Sequence, residues 1–232
     1  MTIERNVFST KERLAETLAD AIAENLNAGL DERGTASLAV SGGSTPKRFF
    51  EVLGAREDVD WENVAVTLVD ERWVDENSER SNARLVKEHL LAGPASVAAF
   101  VPLYAGTPEP DATGIAKSNA ALDCLPMPFD AVVLGMGNDG HTASFFPGGD
   151  TLQDALNADG PVIAINAPGA GEPRVTFTLP RLLATRALYL HIEGDEKAHV
   201  LDKALQTGPV ETMPVRAVLS QNHIPVSLFW CP

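Results

Sequence analysis

Asp139 and His141 stand two residues apart in D-G-H, behind the apolar run Val132, Val133, Leu134 and among Gly135, Gly137 and Gly140. Imidazole moves protons near neutrality, its unperturbed pKa being about 6.5, and a nearby carboxylate can orient the ring or a water. The pair therefore reads as a general base with a partner. The competing reading is a histidine that caps a turn or packs in the core. The three glycines favour a site, because they let a ligand approach the main chain where a buried strand ends.

A second run, Ser41-Gly42-Gly43-Ser44-Thr45-Pro46, joins an apolar strand to the helical pattern of residues 47–53. Pro46 suits the first helical position and Thr45 the N-cap, so free N–H groups and the positive helix end converge on the loop. Phosphate fits there. The run lacks the lysine and spacing of a P-loop and is not G-x-G-x-x-G, so no nucleotide reading follows. A plain strand-to-helix turn is the alternative.

A third cluster, Asp70-Glu71-Arg72, ends the strand pattern that begins at Val64, on the edge where the other two loops should open. By itself it reads sooner as a solvated charge cluster with an internal ion pair. Arg174, after P-G-A-G-E-P, and Lys197, in G-D-E-K-A, are cations able to clamp an anion or to sit on the surface. His191 and His199 are eight apart with no H-x-x-x-H, which gives a metal site little support, and His89 and His223 show no partner.

The elements that must position these groups follow an α/β rhythm. Ser9 or Thr10 can cap a helix carrying Leu14, Leu18, Ile22 and Leu26 on one face. Short, nearly continuous apolar strands are expected at residues 38–41, 64–70, 131–134, 162–166, 187–192 and 226–230, as in buried parallel sheets. A helix is expected at residues 116–125 within a connecting segment, and a loop at residues 168–173. Together these predict a single-domain layered α/β fold over residues 1–232, with a mostly parallel sheet and helices on both faces.

The net charge is −14, from 32 acidic and 18 basic residues. That balance repels nucleic acid and anionic lipid, so an anion site must be built locally from backbone amides and a few cations. No apolar run reaches the roughly 18 residues of a membrane span, and no signal sequence is evident. Cys124 and Cys231 lie far apart without metal-type spacing, which points to a reducing, cytoplasmic setting.

In order, S-G-G-S-T-P, V-D-E-R-W, L-G-M-G-N-D-G-H-T-A-S-F-F-P-G, R-V-T-F-T-L-P and G-D-E-K-A resemble the 6-phosphogluconolactonases, over nearly the whole chain. The resemblance implies a modified Rossmann-like fold shared with glucosamine-6-phosphate deaminase, and hydrolysis of 6-phosphoglucono-δ-lactone in the pentose phosphate pathway. It implies His141 as the base, Asp139 as the group orienting His141 or the water, and Arg72 serving either the carbonyl or the phosphate. Gly42, Gly43, Ser44 and Thr45 are implied to hold the phosphate with Arg174 and Lys197, and Asp70 to join the substrate-binding set. Loss of Arg174 or Lys197 should then chiefly raise KM. The small-molecule lactone is the expected partner, and no organic cofactor or metal is needed. Related deaminases carry a glutamate five residues after the histidine and continue D-E-Y. Here those positions hold Phe146, which can neither accept a proton nor orient an imidazole, and Arg72. The alternatives are an aminosugar-phosphate deaminase, testable by ammonia release, and a non-catalytic sugar-phosphate sensor. The sensor is disfavoured because no DNA-binding extension is evident.

Overall fold

The computed structural model describes residues 3–232. Among the described residues the strands are β1 Ile3–Val7, β2 Ala36–Val40, β3 Val64–Leu68, β4 Asp70–Arg72, β5 Ala99–Val101, β6 Ala131–Leu134, β7 Val162–Ile165, β8 Arg174–Phe177, β9 Leu188–Glu193 and β10 Val226–Cys231. Eight α-helices are α1 Lys11–Arg33, α2 Lys47–Gly54, α3 Asn82–His89, α4 Ala112–Leu122, α5 Leu152–Asn157, α6 Leu179–Leu183, α7 Asp195–Ala204 and α8 Val215–Ser220.

Seven strands form a parallel sheet in the order β1-β10-β9-β6-β2-β3-β5. Its central strands β2 and β6 are buried at every position, whereas edge strand β1 exposes Glu4, Arg5 and Val7. Strands covered on both faces must be apolar throughout, and an edge can carry charge, which also discourages pairing with other chains. The chain builds outward from β2 through β3 to β5, then returns to the other side of β2 at β6 and builds outward again through β9 and β10. The order thus reverses between β2 and β6, and a crevice opens beyond their carboxyl ends.

α1 covers this sheet with Leu14, Leu18, Ile22 and Leu26, all fully buried. Thr10, one of the two expected caps, accepts a hydrogen bond from the Arg13 amide, and Gly34 ends the helix in the left-handed region at φ 74°.

Two expectations are corrected. The 64–70 run is not one strand: β3 ends at Leu68, and Asp70–Arg72 leaves to pair antiparallel with β8. β7, expected in the parallel sheet, pairs antiparallel with β8, giving a separate sheet in the order β4-β8-β7. Val69 is the junction, donating to Val40 of one sheet and accepting from Phe177 of the other. A short buried apolar run has the same composition in either sheet, so partner and direction are fixed by distant chain. The helix expected at residues 116–125 spans Ala112–Leu122, capped by Asp111.

Candidate active site

The loops after β2 and β6 meet at the sheet's point of reversal. Ser41 donates its amide to Val133, and its Oγ accepts from the Gly135 amide at 3.0 Å. The cleft above them, about 250 Å³, is bordered by residues 41–46, by Asp70, Arg72 and Asn82, by His141, by Arg174, and by His191 and Lys197. Loops far apart in sequence, including all three sheet-end loops singled out above, therefore share one depression.

On the β6 side, a tight turn closes through Gly137 N–H to His141 C=O at 2.8 Å and Gly140 N–H to Gly137 C=O at 3.1 Å. Within it the Asp139 carboxylate accepts from the His141 amide at 3.1 Å, and Asp139 Oδ1 lies 2.5 Å from His141 Nδ1. A carboxylate has no proton to give, so Nδ1 carries the hydrogen, and in the neutral ring Nε2 is the nitrogen with the lone pair. Among the described residues Asp139 is the imidazole's hydrogen-bond partner. Burial pushes the Asp139 carboxyl up, but the bond and charge of His141 outweigh it and hold it below the usual carboxylate range. Gly137 makes the pairing possible, since a Cβ there would lie 2.1 Å from His141 Nδ1 and 2.7 Å from Asp139 Oδ1.

Phe146 stacks on His141, with ring centroids 4.2 Å apart and planes at 29°. The expectation that a phenyl ring cannot orient an imidazole is thus corrected: it accepts no proton, but by packing it fixes the ring plane. The Arg174 guanidinium lies over the same phenyl ring, 5.4 Å from its centroid. Arg174 is buried and donates to Ala170 C=O, and its Nη1 is 3.8 Å from Asp70 Oδ2. Asp70 itself accepts from Ser144 Oγ at 2.5 Å. Just before Ser144, Ala143 takes φ 47°, a left-handed conformation that a side chain rarely adopts and that concentrates at working sites.

On the β2 side, Gly43 adopts φ 91°, and α2 begins with no side-chain cap. Pro46, not Thr45, occupies the N-cap, one residue later than expected, and its carbonyl accepts from Phe50. The first-turn N–H groups are therefore left for a ligand. Asn82, which the sequence reading missed, joins this corner to Arg72. Its Oδ1 accepts from Arg72 Nη1 at 2.7 Å and its Nδ2 donates to Asp70 C=O at 3.0 Å. A Cβ on Gly42 would lie 2.0 Å from Asn82 Oδ1. Glu71 anchors the arrangement from below: fully buried, it accepts from the amides of Arg72, Asn82 and Ala83 and from Ser81 Oγ. Burial pushes its carboxyl up, against the lowering by those amides. Nothing local in S-N marks Asn82; only the fold of β4 against α3 brings it here.

Lys197 borders the cleft from the first turn of α7. Burial lowers its amine below the ordinary lysine range, more than Glu196 and Asp139 raise it. His191, read from sequence only as an unsupported metal ligand, borders the same cleft.

The sequence pattern of the "Glucosamine-6-phosphate isomerases/6-phosphogluconolactonase" family matches residues 9–230. A 6-phosphogluconolactonase of Rhizobium meliloti (strain 1021) is 49% identical over 234 residues, covering 100% of both chains. The crystal structure of a 6-phosphogluconolactonase from Shewanella baltica OS155 superposes with a TM-score of 0.96 at 42% identity, over 100% of this chain and 98% of that one. A monomeric glucosamine-6-phosphate deaminase shares the fold alone, with a TM-score of 0.78 at 17% identity over 99% of this chain and 97% of that one. With a match of this extent, the chain belongs to the glucosamine-6-phosphate isomerase/6-phosphogluconolactonase family.

Proposed function

We propose that the protein hydrolyses 6-phospho-D-glucono-1,5-lactone to 6-phospho-D-gluconate, as its relatives' names indicate for them. The observation that carries this reading is an imidazole held through Nδ1 by Asp139, with Nε2 free, on one wall of a cleft whose other wall is an uncapped helix start. That spacing of functions suits a substrate with an ester at one end and a phosphate at the other.

In the proposed sequence, Nε2 of His141 takes a proton from water as its oxygen bonds to the lactone carbon. The carbonyl oxygen becomes an oxyanion. As the carbonyl re-forms, the bond to the ring oxygen breaks, and the imidazolium returns its proton to that oxygen. The new acid loses a proton to solvent, leaving a carboxylate and a hydroxyl. General-base assistance of this kind is worth roughly 10²- to 10⁴-fold.

Arg72 is best assigned to the phosphate, because Asn82 ties it to the Gly42 corner. Arg174 touches the ring that carries His141, so it serves the carbonyl end as well as closing the cleft. Gly42, Gly43, Ser44, Thr45 and Lys197 complete the phosphate side, and Asp70 positions Ser144 and Arg174. A single domain is supported by one continuous hydrophobic cluster. A reducing, cytoplasmic setting is supported by two free cysteines, Cys231 being buried. Among the described residues no helix is long and apolar enough to cross a membrane.

Base titration of 6-phosphoglucono-δ-lactone hydrolysis tests the reading. Strong preference over unphosphorylated gluconolactone is expected. Ammonia release from glucosamine 6-phosphate, without lactone hydrolysis, would reverse it.

A further inference from the structure

His191 is the buried, titratable group on the cleft that the proposed reaction does not use. It projects from β9 on the same face as Tyr189 and Glu193, toward the side of the sheet covered by α1 and α2. Tyr189 reaches Asn25 of α1, while the His191 ring meets the edge of Phe49, in the first turn of α2, at 6.1 Å. The ring therefore lies beside the uncapped helix start, within the cleft wall that also includes Ser44, Thr45 and Lys197.

One nitrogen of the ring is already committed. His191 Nε2 is 3.2 Å from Glu193 Oε1, and Glu193 Oε2 is 3.0 Å from Lys11 Nζ. The carboxylate accepts on both sides, so Nε2 carries a proton and Nδ1 is the nitrogen left for another partner. Burial pushes the Glu193 carboxyl up, but the His191 and Lys11 bonds outweigh it and keep it ionised below the usual range. The charged groups near His191 are Glu193 on its own strand, Lys11 on α1, which pairs with Glu193, and Lys197 on α7, which borders the same cleft. β10 contributes Cys231, opposite Glu193, and α2 only the Phe49 ring. Lys11 neutralises Glu193, so a protonated His191 leaves one net positive charge at this wall. A chain of net charge −14 needs such local charge to hold a phosphate dianion.

We propose that His191 is a further substrate-binding residue, whose Nδ1–H, with Nε2 tied to Glu193, donates to the phosphate end of the substrate. The proposal rests on the reading of this cleft as a sugar-phosphate site, but it concerns phosphate alone and is tested without the reaction. The probe is inorganic phosphate, and the readout is the rise in Tm it causes in the full chain. Wild type should show a rise. Gln at position 191 places an amide near Nε2 and Asn places one near Nδ1. His191→Gln should therefore weaken phosphate binding roughly tenfold or more, the loss of a charge-assisted hydrogen bond, and His191→Asn by only about threefold. In lactone assays His191→Gln should raise KM for the phosphorylated substrate while leaving kcat and the unphosphorylated lactone unchanged. No Tm rise in wild type, equal losses in the two variants, or an equal KM increase for both lactones overturns the proposal. Should His191→Gln fail to fold, Glu193→Gln keeps the ring but removes the carboxylate that ties Nε2, and an undiminished Tm rise overturns it equally. A protein that hydrolyses no lactone yet shows this His191-dependent rise would refute the lactonase reading and leave the phosphate contact standing.

Discussion

The His141 imidazole stacks on the Phe146 phenyl ring, 4.2 Å between centroids, at the position where the sequence resemblance implies a glutamate in the related deaminases. By that resemblance, a hydrogen-bonding partner of histidine is replaced here by a packing one. Orientation is kept and proton acceptance is lost, which suits a reaction with one proton shuttle. Phe146→Leu should keep the fold and lower kcat about fivefold, in line with roughly 1 kcal/mol for an aromatic pair. Steady-state kinetics with the protein's Tm as control measures this, and an unchanged kcat would show that Asp139 alone orients the ring.

His141→Ala should lower kcat by roughly 10²- to 10⁴-fold with little change in Tm. Asp139→Asn should do nearly as much, because an amide can donate to Nδ1 and so force the proton onto Nε2, the atom that must accept from water. Near-wild-type turnover in both variants would remove the pair from the mechanism.

Gly137→Ala tests the pairing without touching either member. Its Cβ would meet His141 Nδ1 at 2.1 Å, so the imidazole must be displaced. A loss of kcat approaching that of His141→Ala is expected, together with a modest fall in Tm.

Arg72 and Arg174 should separate kinetically. Asn82→Ala and Arg72→Ala are expected to raise KM for the phosphorylated lactone roughly tenfold or more, since each weakens a charge-assisted contact at the Gly42 corner. Arg174→Ala should lower kcat as well as raise KM, a departure from a pure phosphate clamp, because its guanidinium rests on Phe146. A pure KM effect in Arg174→Ala would return it to the phosphate.

Lys197 gives a pH signature of defined sign. Its folded amine titrates below the ordinary lysine value of 10.5 because of burial. The native chain therefore releases this proton before the unfolded chain does, and the free protein gains stability from this group as pH rises from the depressed value toward 10.5. Phosphate binding needs the ammonium and so weakens over the same window. The phosphate-induced Tm rise should decline at alkaline pH earlier than for an ordinary lysine, and Lys197→Arg should abolish the decline.

Much of this was legible in sequence because it is local. D-G-H set among glycines marked a turn carrying a carboxylate and an imidazole, and the four-residue spacing from Leu14 to Leu26 marked α1; that the two side chains of the turn meet is seen only in the structure. Apolar runs marked the central strands, since burial on both faces admits nothing else. What the sequence left open is non-local. Ile3–Val7 carries exposed charge because it is an edge, and Asp70–Arg72 joins a second sheet because β8 offers it a partner. Asn82 reaches Arg72, and His191 reaches the cleft, only after α3 and α2 have packed. Residue types and short spacings determined which chemistry the chain could perform. The tertiary structure decided which of those groups meet, because hydrogen bonds and ring contacts act over a few ångströms between segments the chain itself holds far apart.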